Sequence, residues 1–207
     1  MLDEAGFPKT VICAPGDLDE YLIASLKNQV AKIDLWGVGT KLITSADMPS
    51  LGGVYKLSCL YPAGGGEVPK IKLSDNSDKI TNPAFKDVWR IYDKKTGKAE
   101  ADLIVVRGEV PDESKPLTIF HPKETWKRTT FTDYTVRPLT VQVIRGGELA
   151  VPLPSLADVC AYAAREKESF WDEYKRNDNP HVYKVDLSQR LFDIKNQLIE
   201  SIRGSHG

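Results

Sequence analysis

Two short glycine-bearing turns carry the chemistry that this chain can offer. They are Pro15-Gly16-Asp17 and Gly37-Val38-Gly39-Thr40, the second with Lys41 directly behind it. Glycine lets an oxyanion come close to the main chain, because no Cβ stands in the way, and consecutive N–H groups can then converge on its oxygens. Thr40 adds a hydroxyl donor, and a helix starting there adds its N-terminal partial charge. The pattern points to phosphate. Each residue also has a plainer reading. A GxG after a strand is an ordinary tight turn, Asp17 is a helix cap, and Lys41 is either a phosphate-neutralising cation or a solvated lysine. Spacing does not decide between them.

The turns need elements to aim them. KTVICA (9–14) reads as a short apolar strand and KIDLW (32–36) as a second. Between them, DLDEYLIASLKNQV reads as a helix, with Asp17 as cap and Glu20 closing a capping box. Leu18, Leu22, Leu26 and Val30 fall at four-residue steps and predict one buried stripe. Strand, capped helix, strand is a βαβ unit. The strands lack polar alternation, which predicts a parallel sheet covered on both faces. In parallel α/β folds ligands sit beyond the C-terminal strand ends, where both glycine turns fall. LDEAGF reads as the last turn of a helix capped by Gly6. So little chain before that cap, and so few strands for a parallel sheet, suggest that the fold extends upstream of Met1.

From Gly53 onward the pattern is β-rich: GVYKLSCLY, PKIKL, DVWRIYD, ADLIVVRG, PLTIF and TVRPLTVQVI, separated by Gly, Pro, Asp and Asn. RIYDKKTGKAEADLIVV predicts a hairpin turning at Lys94 to Gly97. Two helices close the chain. One, SLADVCAYAAREKESFWDEYKR, starts at Ser155. The other, SQRLFDIKNQLIESIRG, has Ser188 as N-cap and Leu191, Ile194, Leu198 and Ile202 as its apolar stripe. The expected division is 1–52 as an α/β segment, 53–150 as a β-rich region and 151–207 as a helical region.

At 207 residues, 41% hydrophobic and 28% charged, the chain reads as a soluble globular protein. A net charge of −1 gives no bulk attraction to nucleic acid or to an anionic membrane. Anion binding must come from local geometry. Cys13, Cys59 and Cys160 are scattered in apolar contexts, which excludes a CxxC zinc site and predicts small packed side chains. With no hydrophobic leader and no spanning run, the expectation is a cytoplasmic protein. No nucleophile–base pair stands out. His121, His181 and His206 each read as surface or packing residues, and no metal site is expected.

The run GDLDEYLI (16–23), then KIDLWGVGTKLITSADMPSLGGVYKL, PKIKLSDNSDKITNP, DVWRIYD, VPLPSL and NPHVYKVDLSQRL, resembles the C-terminal half of nicotinate phosphoribosyltransferases, over nearly the whole chain. The resemblance implies an α/β fold: the C-terminal part of an irregular (β/α) phosphoribosyltransferase barrel, followed by a β-rich region and two helices. It implies formation of nicotinate mononucleotide from nicotinate and phosphoribosyl pyrophosphate, with magnesium on the pyrophosphate and ATP hydrolysis coupled through a phosphorylated histidine. Carried over by the same resemblance, Gly37, Val38, Gly39 and Thr40 take the 5′-phosphate and Gly16 and Asp17 face the ribose. Pro15 departs from the Ser-Asn-Asp or Ser-Gly-Asp of many relatives and removes one donor. The family's catalytic histidine, its pyrophosphate arginines and its nicotinate-stacking aromatic lie upstream of this region. The expected partner is therefore an N-terminal half or a second copy of the chain. The alternative reading is a non-catalytic fragment or a nucleotide-binding assembly module.

Overall fold

The computed structural model describes residues 1–50 and 52–204. The chain divides into two compact units, Met1–Val54 and Tyr55–Gly207.

The first unit is the βαβ element. β1 (Cys13–Gly16) and β2 (Leu35–Val38) pair in parallel, joined through α1 (Glu20–Asn28), and a single helical turn, α2 (Thr40–Ile43), follows. Both strands start three residues or more later than the apolar runs suggest. The cause is Asp34. Its carboxylate accepts the Ile12 N–H at 2.8 Å, while the N–H groups of Asp34 and Leu35 both donate to the Ile12 carbonyl. The residues before the ladder are thus held by a side-chain clip, and the glycines become strand ends. LDEAGF makes the expected terminal turn: Gly6 sits at φ +87°, with Phe7 N–H on the Leu2 carbonyl and Gly6 N–H on that of Asp3.

Two expectations for this unit fail. The stripe from Leu18 to Val30 is not buried as one. Leu18 is sealed, Leu26 is half-buried, Leu22 is exposed and Val30 is 81% exposed. Val30 has left the helix altogether. It takes a left-handed φ of +58°, its N–H returns to the Lys27 carbonyl, and Ala31 N–H closes on that of Leu26. Nor are the strands covered on both faces: Val11, Ile12 and Leu35 remain exposed, because a two-stranded sheet with one three-turn helix has too little surface to seal them.

The second unit is built on a six-stranded sheet, in the order β8-β7-β12-β6-β5-β9. Its strands are β5 (Lys86–Asp93), β6 (Ala99–Val106), β7 (Leu117–Phe120), β8 (Arg128–Phe131), β9 (Tyr134–Pro138) and β12 (Val185–Leu187). Two-residue ladders pair β3 (Cys59–Leu60) with β4 (Val68–Pro69), and β10 (Ile144–Arg145) with β11 (Glu148–Leu149). The β5–β6 hairpin turns where expected, because Asp93 Oδ1 accepts the N–H groups of Lys95 and Thr96 and Gly97 supplies φ +67°. β8 and β12 were not legible. β12 is three residues long and lies parallel to β6 but antiparallel to β7.

Alternation along β6 decides what each face does. Ala101, Leu103 and Val105 point to one side and form a core with Ile91, Ile119 and Tyr134. The Tyr134 hydroxyl reaches the carbonyls of Asp112 at 2.8 Å and Lys115 at 3.1 Å, which ties the 111–116 loop to that core. On the other side Val106 joins Ala84, Leu187 and Leu191, under α4 (Gln189–Gly204). Ser188 caps α4 by accepting the Leu191 N–H, and the Leu191/Ile194/Leu198/Ile202 stripe faces inward, as its spacing predicts.

α3 (Leu156–Ser169) carries a full capping box between Ser155 and Asp158. It ends well short of the expected Arg176. Phe170 turns extended, so that its ring meets Tyr183 edge-on and stacks under the Arg90 guanidinium. No α3 residue is fully buried, so Cys160 is exposed, as is Cys13; only Cys59 is half-packed. The expectation of three packed cysteines fails for the two that lie on unsealed elements.

The same face carries a charge cluster. Arg90 grips both oxygens of Asp102, at 2.8 and 3.0 Å, and donates to Glu166 at 3.1 Å; Arg137 reaches the same Glu166 oxygen at 2.6 Å. That bond holds the Glu166 carboxyl below the ordinary range. Arg90→Met leaves Asp102 and Glu166 largely desolvated with too little countercharge. It is expected to cost about 2–4 kcal/mol in urea unfolding, most of it recovered by adding Asp102→Leu. No loss in the single variant refutes this account.

Lys195 on α4 is buried, its ammonium donating to Asn82 Oδ1 at 2.8 Å and to the Pro122 carbonyl at 2.7 Å. Burial pushes its pKa down to about 8. Between there and the ordinary lysine value of about 10.4 the unfolded chain holds a proton that the folded chain lacks, so this group's contribution to stability rises with pH across that window. The unfolding free energy of wild type minus that of Lys195→Met should grow from pH 8 to about 10.5; a flat difference counts against it.

Candidate functional site

Pro15 pairs with Gly37 and Gly16 with Val38, so both glycine turns leave adjacent strand ends side by side. A Cβ on Gly37 would stand 3.4 Å from Pro15 Cα, ordinary contact at the ladder. Gly16 lies at φ +126°, a conformation that side chains rarely adopt. The Leu18 N–H folds back to the Gly16 carbonyl at 2.9 Å, and this leaves Asp17 exposed at the apex of a tight turn.

Gly37 and Val38 prove to be the last residues of β2, and Gly39 caps α2. The Leu42 and Ile43 N–H groups close on the Gly39 carbonyl, so the N–H groups of Thr40 and Lys41 precede the first closed turn, where a helix has no acceptor of its own for them. Gly39 and Thr40 are exposed, and nothing stands within 4 Å of where a Gly39 Cβ would be. The six residues singled out in the sequence thus share one end of the two-stranded sheet.

The cap of α1 differs from expectation. It is Asp19, not Asp17: Asp19 Oδ1 accepts the Leu22 N–H at 2.7 Å, and the third helical position is Leu22, so Asp17 and Glu20 make no capping box. The legible signal was apolar. Leu18 just before the cap and Ile23 at the fourth helical position have staple spacing. Asp19 Oδ2 also takes the Lys41 ammonium, an ion pair that the sequence did not disclose. The hydrogen bond from Lys41 holds the Asp19 carboxyl below its ordinary value, helped by the Leu22 N–H. The same bond raises Lys41 against the opposing effect of desolvation, and the charges of Asp17 and Asp47 add to it. Beside this pair lies a cleft of about 440 Å³, walled by Leu18, Ile23, Val38 and Met48.

The histidines lie elsewhere. His121 Nδ1 accepts the Glu124 N–H at 2.9 Å and the Lys123 N–H at 3.3 Å, closing a turn. His181 donates its backbone N–H to the Glu173 carbonyl and sets its ring edge-on to Tyr174. His206 is outside the described residues. Among the described residues no three His, Cys, Asp or Glu side chains gather where they could hold a metal ion. No helix among them is long and apolar enough to cross a membrane.

Gly16→Ala forces a side chain into the left-handed region and is expected to destabilise the β1–β2 ladder by about 1 kcal/mol, seen as faster hydrogen exchange of its amides. Unchanged exchange would mean that the turn has an alternative conformation of equal energy.

The family model of the nicotinate phosphoribosyltransferase C-terminal domain matches residues 85–195. A nicotinate phosphoribosyltransferase of Bacillus subtilis (strain 168) is 39% identical over 203 residues, covering 98% of this chain and 41% of the relative. One from Dictyostelium discoideum is 34% identical, covering 93% of this chain and 33% of the relative. The crystal structure of human nicotinic acid phosphoribosyltransferase superposes with a TM-score of 0.70 at 24% identity, covering 95% of this chain and 36% of that one, which establishes likeness of fold. The chain therefore spans about two fifths or less of the length of these relatives.

Proposed function

The chain belongs to the nicotinate phosphoribosyltransferase C-terminal domain family, and from that premise we propose that it is the sugar-phosphate-binding part of an enzyme that makes nicotinate mononucleotide. Nicotinate would displace pyrophosphate from phosphoribosyl pyrophosphate. The backbone at Gly37, Val38 and Gly39 and the Thr40 hydroxyl would take the 5′-phosphate. Gly16 and Asp17 would face the ribose hydroxyls, Asp17 as acceptor. The observation that carries the reading is the register of β1 on β2, which sets the two glycine turns next to each other at one strand end.

On this reading the chain binds and orients, and the catalytic groups belong to another segment, an N-terminal half or a second copy. The exposed Val11 and Ile12 just before β1, the exposed Leu35 of β2 and the open edges of that sheet support such a partner, with which these strands would continue as part of an irregular barrel. When bound, magnesium would screen the pyrophosphate, and ATP hydrolysis would drive the coupled reaction. Among the described residues no cluster of His, Cys, Asp or Glu fits a metal ion.

Titration with nicotinate mononucleotide tests the reading. In Gly39→Val the added Cβ meets no atom within 4 Å, and the methyl groups stand where phosphate oxygens would approach. Affinity should fall about tenfold or more. Equal affinity in both proteins removes the turn from the reading.

A further inference from the structure

α2 is one helical turn. Leu42 and Ile43 N–H close on the Gly39 carbonyl and Thr44 N–H on that of Thr40, and the turn ends with Ser45 N–H on the Leu42 carbonyl and Ala46 N–H on that of Lys41. A turn of this length has no stability of its own. Packing does not supply it either, since Leu42 is 71% and Ile43 88% exposed. Among the described residues, the ion pair that links this segment to the start of α1 is made by the side chain of Lys41, and it ends on Asp19. Asp19 is itself fixed, because its other oxygen holds the Leu22 N–H at the start of α1. One carboxylate therefore ties together the two segments that follow the two glycine turns.

The charges around Lys41 argue that the pair stays closed when an anion is present. Asp19, Glu20 and Asp47 line the cleft with it, and Asp17 adds to the attraction that it feels. Moving the ammonium onto a phosphate would strip Asp19 of its partner. It would also leave a bare carboxylate in the loops that face the new dianion.

We propose that Asp19 is a positioning residue for the phosphate turn, acting through Lys41, and that Lys41 is the other end of this brace and not a ligand of the phosphate. The proposal rests on the sugar-phosphate reading of Gly37 to Thr40. Phosphate recognition then falls to main-chain N–H groups and the Thr40 hydroxyl, held in shape by an ion pair that never touches the ligand.

The two roles for Lys41 predict opposite signs for one substitution. Asp19→Asn keeps a good N-cap for α1 but dissolves the ion pair and frees Lys41. Nicotinate mononucleotide is titrated into the 207-residue chain and its Asp19→Asn, Lys41→Met, double and Lys41→Arg variants, with hydrogen exchange at Leu42, Ile43 and Thr44 followed in each. Each single variant is expected to bind roughly threefold more weakly, the double no worse than either single, with Lys41→Arg near wild type. Exchange at the three amides should quicken in both singles and the double. Tighter binding by Asp19→Asn with weaker binding by Lys41→Met makes Lys41 a direct ligand and overturns the proposal, as do additive losses or unchanged exchange. Absence of binding by the wild-type chain is a different failure. It sinks the sugar-phosphate reading itself, and the exchange data then report only whether the brace exists.

Discussion

The parallel register of β1 on β2 is the constraint on which the candidate site depends. Pro15 opposite Gly37 and Gly16 opposite Val38 bring two turns, more than twenty residues apart in the chain, to one edge. A slip of one residue would turn every side chain of one strand to the opposite face and carry one glycine away from the other. The register is held from below by Asp34, whose carboxylate and backbone N–H both engage Ile12 and so fix where the ladder begins. It is held from above by Asp19 and Lys41, which join the segments that the two strands feed. Polar clips at both ends do the work that a buried core does in the second unit.

There, β6 is the organising strand. Its odd-numbered residues enter an apolar core, and on the opposite face Ile104 and Val106 lie under α4 while Asp102 meets Arg90. That division explains why an 8-residue strand can face two different environments across the same sheet. It also explains why β12, short as it is, is tolerated between β6 and β7: Leu187 completes the α4 core, and the carbonyl of Ile104 accepts the Ser188 N–H at the start of α4. The charge cluster is costly to desolvate, yet Arg90 meets Asp102 bidentately and stacks on Phe170, geometry that offsets much of the cost.

Elements whose signals are local were legible in the sequence. The β5–β6 hairpin has Asp93 and Gly97 at turn positions, α4 has Ser188 and a four-position stripe, and the βαβ unit has its apolar runs and capped helix. What was missed depends on partners distant in sequence. β12 exists because two other strands leave a gap of its width. α3 ends at Ser169 because Phe170 is drawn to Arg90 and Tyr183. Asp19 displaced Asp17 as cap because Leu18 had to turn inward, 4% exposed, between them. The six glycine-turn residues, and their place at the ends of adjacent strands, could be read from the chain alone; the register that sets Pro15 opposite Gly37 could not.

A phosphate site of the proposed kind, made of main-chain N–H groups, would have a particular vulnerability. Its chemistry is carried by atoms that every residue owns, so substitution removes little of it directly, and what selectivity it has comes from the positions of those atoms. Geometry of that kind normally rests on a packed core. In the first unit that support is scant, because Leu18 is the one buried apolar side chain among its described residues. An ion pair is a reasonable substitute where apolar surface is short: it is directional, it spans the two loops, and at 41% and 22% side-chain exposure it escapes the large desolvation cost of a buried pair. The same arithmetic bears on charge. Among the described residues lining the cleft Lys41 is the one cation, and Asp19, Asp17 and Asp47 all attract it, so the cleft has no second ammonium to offer an anion. On the proposed reading, main-chain donors are the means left for recognising a phosphate, and the side-chain charges would serve to keep those donors aligned.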